Sequence, residues 1–501
     1  MNLCLLTDPW IPAIRNGETV TIRPDQIAER GITRLAWPRP DFNLACIELL
    51  IGLVSMAYPP EDDADWHGRL NQPETERLRE KLTQFAPYFL LGGAGPRFLQ
   101  DLEAFEHEAK PSDIKPVDML YIDSAGRLTV AKNADLMVKR DRFTALAQAD
   151  AAMALYTLQA FAPSGGGGNR TSMRGGGPMI TLIQPLAEEQ DPRPLWRLVF
   201  SNVLPGPPLS AIDARVALPW LRPTHTSEKG QVLLRDATHP LEAFFGMPRR
   251  LRLVLRDDLV TGVVQRPHGT NYAGWEHPLT PHYRRREDDQ EWLPVHPNAG
   301  RLSYRNWRGI TMQSDRGGKG TRRVSETIRV YTSRPRVREY ELLVGGWAMD
   351  KMKPVNFSLD TYPGFPGLDE NGQDRVRGLL DAANTSAGVL RTALKEACLL
   401  EGSALDAVVE AYFAATEEAF GISVQGIAGE TGIEVEQAWH RTLRDTAVHM
   451  FDERVFSGLA EHDIARIEKR VVSKRNLLGA LAKQVRTALN LPVPGKTEKQ
   501  V

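Results

Sequence analysis

Apolar positions come first in short blocks broken by Pro and Gly, and beyond residue 374 in long helical periods. Asn2 to Leu6, ending at Asp8-Pro9-Trp10-Ile11-Pro12, reads as an edge strand that turns at two prolines. Ile14 to Ile22, with Asn16-Gly17 near its start, predicts a hairpin. The most apolar run, Leu44 to Tyr58, contains Glu48 and stops at Pro59-Pro60. It is too short to span a bilayer and predicts a buried helix, with Asp41 placed to cap it. Asp63 to Phe85 reads as one polar helix, and Leu128-Thr129-Val130 as strand-like. Phe143 to Phe161 carries Ala, Leu, Met and Tyr at helical spacing, and Met179 to Ile183 reads as a strand. Leu251 to Leu255 alternates as a half-exposed strand with basic residues outward, able to pair with Leu259 to Val264 across Asp257-Asp258. Val344 to Trp347 ends a strand, and Ala348 to Pro354 follows as a loop.

Between the helix ending at Phe161 and the strand at Met179 lies the stretch around which the chain is organised. It runs Phe161-Ala162-Pro163-Ser164-Gly165-Gly166-Gly167-Gly168-Asn169-Arg170-Thr171-Ser172-Met173-Arg174-Gly175-Gly176-Gly177. Seven glycines let the backbone take positive φ and approach a ligand closely. Arg170 and Arg174 put charge beside exposed amides, which suits an anion. The order helix, loop, strand excludes a phosphate loop of the Walker type and a dinucleotide fingerprint, which run strand, loop, helix. A flexible linker is the plain alternative. The flanking arginines and ordered neighbours favour a loop that meets a phosphate backbone or a groove.

Pro363 to Asp374, rich in Gly and Pro, marks a domain boundary. Four helices follow, Arg375 to Leu400, Ala404 to Phe420, Glu434 to Phe456 and Asp463 to Asn490, as in an antiparallel bundle. The fold class expected is therefore α+β: a large mixed domain over 1–365, a four-helix bundle over 366–491 and a disordered tail over 492–501. On the last helix Ile464, Ile467, Val471, Leu478, Leu481 and Val485 share one stripe. Arg466, Arg470 and Lys474 fall four apart on another face, either solvated or a ridge that tracks phosphates.

Charge sharpens this picture. The 501 residues carry a formal net charge of −1, so nucleic-acid binding must come from local patches rather than a global field. Residues 281 to 340 hold fourteen Lys and Arg against seven Asp and Glu, interleaved with Tyr283, Trp292, Tyr304, Trp307, Tyr331 and Tyr340. Basic groups neutralise phosphates while aromatic rings stack on bases, so this region is a candidate nucleic-acid face beside the plainer reading of a solvated basic surface. Cys4, Cys46 and Cys398 lie far apart and form neither a zinc knuckle nor a disulfide framework, which fits a reducing cytoplasm. No export signal is visible, and the expectation is a soluble cytoplasmic protein without a membrane partner.

No HExxH, GxSxG, HD pair or kinase signature is present. His268, His277 and His282 cluster, yet lack carboxylates at ligand spacing. The residue types point to binding, with no catalytic residue, cofactor or metal expected. Two rivals stand beside that reading: an RNA-processing ribonuclease using His268 or His277 as acid or base, and a scaffold without a nucleic-acid role.

Four stretches together resemble one family. They are Asp8-Pro9-Trp10-Ile11-Pro12; Asn133 through Arg174-Gly175-Gly176; Arg266 through Trp275-Glu276-His277-Pro278-Leu279-Thr280-Pro281; and Gly345-Gly346-Trp347 with Asp350-Lys351-Met352-Lys353. In this order they are similar to the large subunit of the type I-E CRISPR Cascade surveillance complex, the CasA family, over the whole chain. The resemblance implies a non-catalytic subunit that reads the protospacer-adjacent motif in double-stranded target DNA, helps open the duplex and recruits a helicase–nuclease. It implies motif reading by the glycine loop Ser164, Gly165, Gly166, Gly167 and Gly168, with Arg266 and His268 at the groove. It implies a wedge within Asp350, Lys351 and Met352. The arm Asn133 to Arg140, with Met137 and Lys139 at its gripping positions, would hold the 5′ handle of the guide RNA (crRNA). The bundle would meet the DNA backbone through Arg466, Arg470 and Lys474, and other Cascade subunits would be partners. This chain departs from relatives with Gln at the wedge, where Lys351 or a neighbour stands. It also departs from those with a cysteine cluster before the groove-reading strand, where Asp257 and Asp258 stand, so no zinc is expected.

Overall fold

The computed structural model describes residues 2–493 except 134, 136–139, 187–191, 287, 299–302, 308, 313–320, 336, 365–367, 369, 399–400, 430–432 and 458–462. The chain forms two compact units, one of residues 1–299 with 313–366, the other of 300–312 with 367–501. The fold class is α+β, with several small sheets in the first unit and long helices in the second.

The first unit is built around the helix Pro40–Ala57, called here the core helix. Proline at its first position is tolerated because no helical donor is lost there. Asp41 sits inside the first turn rather than at the cap, and its carboxylate pairs with Arg39, whose Nη2 lies 2.8 Å away. The helix has 18 residues, long and apolar enough to cross a membrane, but 83% of it is buried inside the protein. Burial, not shortness, therefore marks it as core. The expected single helix over Asp63 to Phe85 is two, Asp63–Asn71 and Thr75–Thr83. Pro73, which lacks an N–H and restricts Gln72, stands at the break. Residues Leu128 to Val130 belong to a helical turn, Arg127–Ala131, rather than a strand. Asn2 to Leu6 is not a strand either; Cys4 makes only an isolated bridge to Leu90.

Two hairpins frame the candidate site. The first, the reader hairpin, pairs Arg250–Arg256 with Leu259–Arg266. Asp257 and Asp258 turn it with φ of 49° and 65°, a left-handed conformation that Asp accepts more readily than most residues. Arg250 and Arg252 are not solvated, whereas Arg256 near the turn is exposed. Arg252 is 1% exposed and holds Glu106 through two bonds of 2.7 Å, while Arg250 Nε bonds Asp101 at 2.6 Å. The segment carrying Asp101, Glu103 and Glu106 lies over that face, which local alternation could not register. The second, the long hairpin, pairs Tyr340–Asp350 with Lys353–Pro363, and its inner strand also pairs antiparallel with Ile180–Pro185.

The second unit contains helices Glu370–Cys398, Ser403–Gly429, Glu434–Val455 and Ile464–Ala480, the last continuing through a wider turn at Leu481–Val485. Asp463 caps the last helix by accepting from the amides of Ala465 and Arg466. Its expected apolar stripe divides. Leu481 and Val485 are buried, but Ile464, Ile467, Val471 and Leu478 are exposed, because Ser473 and Leu477 supply the buried face instead. Tyr304, expected as a base-stacking ring, is core. It stacks on Phe420 at 4.2 Å, and its hydroxyl meets Thr416 Oγ1 at 2.7 Å. Tyr304→Ala should lower the stability of this unit by about 3 kcal/mol or more, the range for emptying a buried aromatic site. Tyr304→Phe should lower it by only about 1 kcal/mol, the hydrogen bond alone. Denaturant unfolding followed by tryptophan fluorescence checks both values.

Candidate nucleic-acid interface

The helix Gln148–Phe161 delivers the glycine stretch, which forms two consecutive tight turns closed by bridges Gly166–Asn169 and Ser172–Gly175. Backbone bonds from Ser172 to the Ala162 carbonyl and from Gly177 to the Phe161 carbonyl pin both turns to the helix end. In the first turn Gly167 and Gly168 have φ of 52° and 77°, with the Asn169 amide bonded to the Gly166 carbonyl. Two successive left-handed residues are the requirement of a two-residue hairpin turn, and glycine meets it without a Cβ clash. Ser164 and Gly165 to Gly167 are exposed, and Gly168 is half-buried. Among the described residues, the amides of Gly166, Gly167 and Gly168 have no acceptor. This turn presents free donors to solvent.

The second glycine run does the opposite. A Cβ on Gly177 would clash with the Trp347 carbonyl and lie 2.8 Å from the Met349 methyl, and one on Gly176 would lie 3.1 Å from Met352 Sδ. These residues let the long hairpin pack directly against the glycine segment. The tip of that hairpin is therefore carried beside the first turn. The expected loop Ala348 to Pro354 shrinks to two residues, Lys351 and Met352, between the paired Asp350 and Lys353. Both have positive φ, 48° and 65°, and both are exposed. The comparable turns use Asn16-Gly17 and Asp257-Asp258, residues suited to that conformation; Lys and Met are not. The tip keeps two long side chains at a backbone strain of about 1–2 kcal/mol each.

The end of the reader hairpin also reaches the first turn. Gln265 Nε2 bonds Asn169 Oδ1 at 2.9 Å, and a Cβ on Gly168 would lie 2.8 Å from the His268 backbone N and Nδ1. His268 is thus part of the assembly, with φ of 61°. Neither Gln265 nor Asn169 was singled out from the sequence. Arg266 is half-buried over the Phe105 ring at 4.5 Å, and its Nη1 lies 2.5 Å from Glu103. Its charge is engaged by Glu103 within the chain rather than open to solvent.

Arg174 corrects the sequence reading most sharply. It does not flank the exposed amides. It is 1% exposed and turns inward to Glu48 of the core helix, Nη2 to Oε1 at 2.6 Å. Burial raises the Glu48 carboxyl above its ordinary pKa, and the Arg174 guanidinium opposes that rise. His277 sits 3.5 Å from Glu48 and is held well below its ordinary pKa by burial and then by Arg174. Burial, with Arg323 next, takes His282 down to about 3. His277 is thus a buried neutral core residue, not a loop acid or base. A cavity of about 10 Å³, the size of one water, lies between Glu48, Tyr156 and Arg174.

Met137 and Lys139 lie outside the described residues. Arg466 lies 3.8 Å from Asp463, and Lys474 Nζ is 2.8 Å from Asp452 and 5.4 Å from the Phe456 ring centre. Arg470 is half-buried. These residues follow one another along the helix, but Lys474 is committed to its own bundle. In the basic region, Trp307, Tyr331 and Tyr340 are buried like Tyr304, while Trp292 stacks with Arg284 at 4.5 Å and Arg323 at 4.3 Å. Among the described residues no group of three or more His, Cys, Asp or Glu forms a metal cage. Replacing the tip by Lys351→Asn with Met352→Gly relieves the left-handed strain. The double variant should raise the melting temperature of the isolated chain by a few degrees, read by calorimetry.

This arrangement was compared with known proteins. Residues 5–450 match the family model described as CRISPR-associated protein Cse1. The fold is similar to that of a CRISPR associated protein from Thermus thermophilus, with a TM-score of 0.74 at 18% identity, covering 96% of this chain and 100% of that one. It is similar to CasA of the same organism, with a TM-score of 0.72 at 18% identity over 96% and 100% of the two chains. It is also similar to Cse1 of Thermobifida fusca, with a TM-score of 0.71 at 16% identity over 98% of each. The structural likenesses establish the fold, and the family match over most of the sequence establishes kinship: the chain belongs to the CRISPR-associated Cse1 family.

Proposed function

We propose that this chain is the non-catalytic large subunit of a guide-RNA-directed Cascade complex, and that it recognises the protospacer-adjacent motif in double-stranded DNA. The observation that carries this reading is the exposed turn Ser164 to Gly168. Among the described residues the amides of Gly166 to Gly168 have no acceptor, His268 packs against Gly168, and Met352 of the strained tip packs against Gly176. A narrow turn without side chains fits a minor groove about 6 Å wide, where readout is degenerate, so recognition is promiscuous among related short motifs. Guide pairing, not this chain, supplies sequence identity. The tip, whose Met352 packs against Gly176, enters the base stack next to the motif and starts duplex opening in this reading. Met137 and Lys139 grip the guide handle by apolar packing and charge. Arg466, Arg470 and Lys474 meet the DNA backbone, and the loaded complex recruits the helicase–nuclease.

Arg266 has to exchange Glu103 for the groove, so it acts in recognition at the expense of an internal ion pair. Lys474 acts only through phosphate. In the assembled complex, binding to duplexes with a randomised motif separates the roles. Gly167→Asp should weaken binding at least tenfold without changing the fold, because a charged side chain fills the groove-facing space. Arg266→Ala should alter the motif preference, while Lys474→Ala should weaken all duplexes alike and lower the salt slope by about one. Unchanged affinity with Gly167→Asp would remove the basis for groove reading.

A further inference from the structure

One buried cation beneath the glycine turn has no role in the preceding account. We propose that Arg249 is a phosphate contact, its guanidinium receiving an anionic oxygen of the duplex backbone that walls the groove. This rests on the groove reading of the glycine turn.

Arg249 stands immediately before the reader hairpin and is 6% exposed. Its backbone is fixed by two bonds with Gln159, its amide donating to Oε1 at 3.1 Å and its carbonyl accepting from Nε2 at 3.0 Å. The guanidinium runs under the turn. Nη2 donates to the Pro163 carbonyl, Nε is buried without a partner, and Nη1 lies 2.6 Å from where a Cβ on Gly165 would stand. Gly165 is exposed, so the absence of a side chain there leaves the guanidinium one residue's thickness from solvent.

Arg249 lacks the carboxylate that most buried arginines here have. Arg69, Arg97, Arg174, Arg252 and Arg334 pair with Asp65, Glu106, Glu48, Glu106 and Asp63, and Arg197 bonds Asn71 Oδ1 at 3.2 Å. Among the described residues Arg249 pairs with no carboxylate, and burial alone brings its pKa down to about 10. A guanidinium offers five donors in one plane, and this one has a single acceptor among the described residues. A buried charge kept without a partner is costly, so an occupant that brings the opposite charge is the physical complement.

Neighbouring groups point to the same chemistry. Among the described residues the amides of Gly166 to Gly168 have no acceptor and His268 Nδ1 is buried without a partner beside Gly168, while Arg170 next to the turn bonds Ser227 through Nε at 2.8 Å. A turn inserted in a minor groove has phosphates on both flanking walls, and planar guanidinium donors match phosphate oxygens.

The test uses the assembled complex and a motif-bearing duplex across a salt series, with Arg249→Gln, Arg249→Lys and Gly167→Asp compared in parallel. Arg249→Gln should weaken binding several-fold for every motif and lower the log–log salt slope by about one. It should also leave the melting temperature of the isolated chain unchanged or raised, because an unneutralised buried charge has gone. Arg249→Lys should keep the slope. An unchanged slope for Arg249→Gln overturns the proposal, as does a lowered melting temperature with a salt-independent loss, which marks Arg249 as a brace for Pro163. Loss of the subunit from the guide-loaded complex with a normal duplex slope overturns it in favour of RNA. If Gly167→Asp binds normally while Arg249→Gln loses the slope, groove reading fails and the phosphate contact stands; the reverse pattern removes the phosphate contact alone.

Discussion

Arg174 and Glu48 form an ion pair in the middle of the first unit, each about 1% exposed. A buried pair is a weak source of net stability, but losing one partner leaves an uncompensated charge at a penalty of about 3–5 kcal/mol. Its value here is positional. Arg174 lies between the two glycine runs, and Glu48 lies in the core helix, so the pair fixes a backbone that seven glycines would otherwise leave free. The result is a division of labour within one segment. The turn Gly166 to Gly168 before Arg174 keeps its amides free of acceptors among the described residues, and the glycines after it give the long hairpin a surface without side chains to pack against.

Much of this was legible in the sequence, and the misses have physical causes. The reader hairpin follows from alternation and Asp257-Asp258, and the exposed turn from Gly165 to Gly168. Arg174 was misread because its partner stands 126 residues away, beyond any local pattern. Arg252 failed for the same reason, since Glu106 lies 146 residues upstream. Tyr304 and Trp307 sit among charges in the sequence, yet join a helical core formed much later in the chain. The loop after Trp347 looked longer than it is because Asp350-Lys351-Met352-Lys353 carries no turn signature, and the hairpin closes there against local preference. Arg249 gave no signal at all: its distinction is the absence of an acid nearby, which only the folded chain reveals.

Under the proposed function, these departures from local preference share a logic. A strained tip and an unneutralised guanidinium both weaken the free protein and both face the turn proposed to enter the groove. Proteins depart from local rules where binding needs it and depend on rigid surroundings to hold the departure in place. Here the surroundings are the helix Gln148–Phe161, the two hairpins and the buried Arg174–Glu48 pair.

The central claim is that the first glycine turn is a preformed donor surface for duplex DNA, while the second is a packing surface within the protein. Amide hydrogen exchange across residues 161–177 of the assembled complex, with and without a motif-bearing duplex, tests it most directly. Without duplex, Gly166 to Gly168 should exchange fast and Ser172, Gly175 and Gly177 slowly; with duplex, protection should appear at the first group alone. Protection of Gly166 to Gly168 before duplex is added, or none after it binds, would contradict the account.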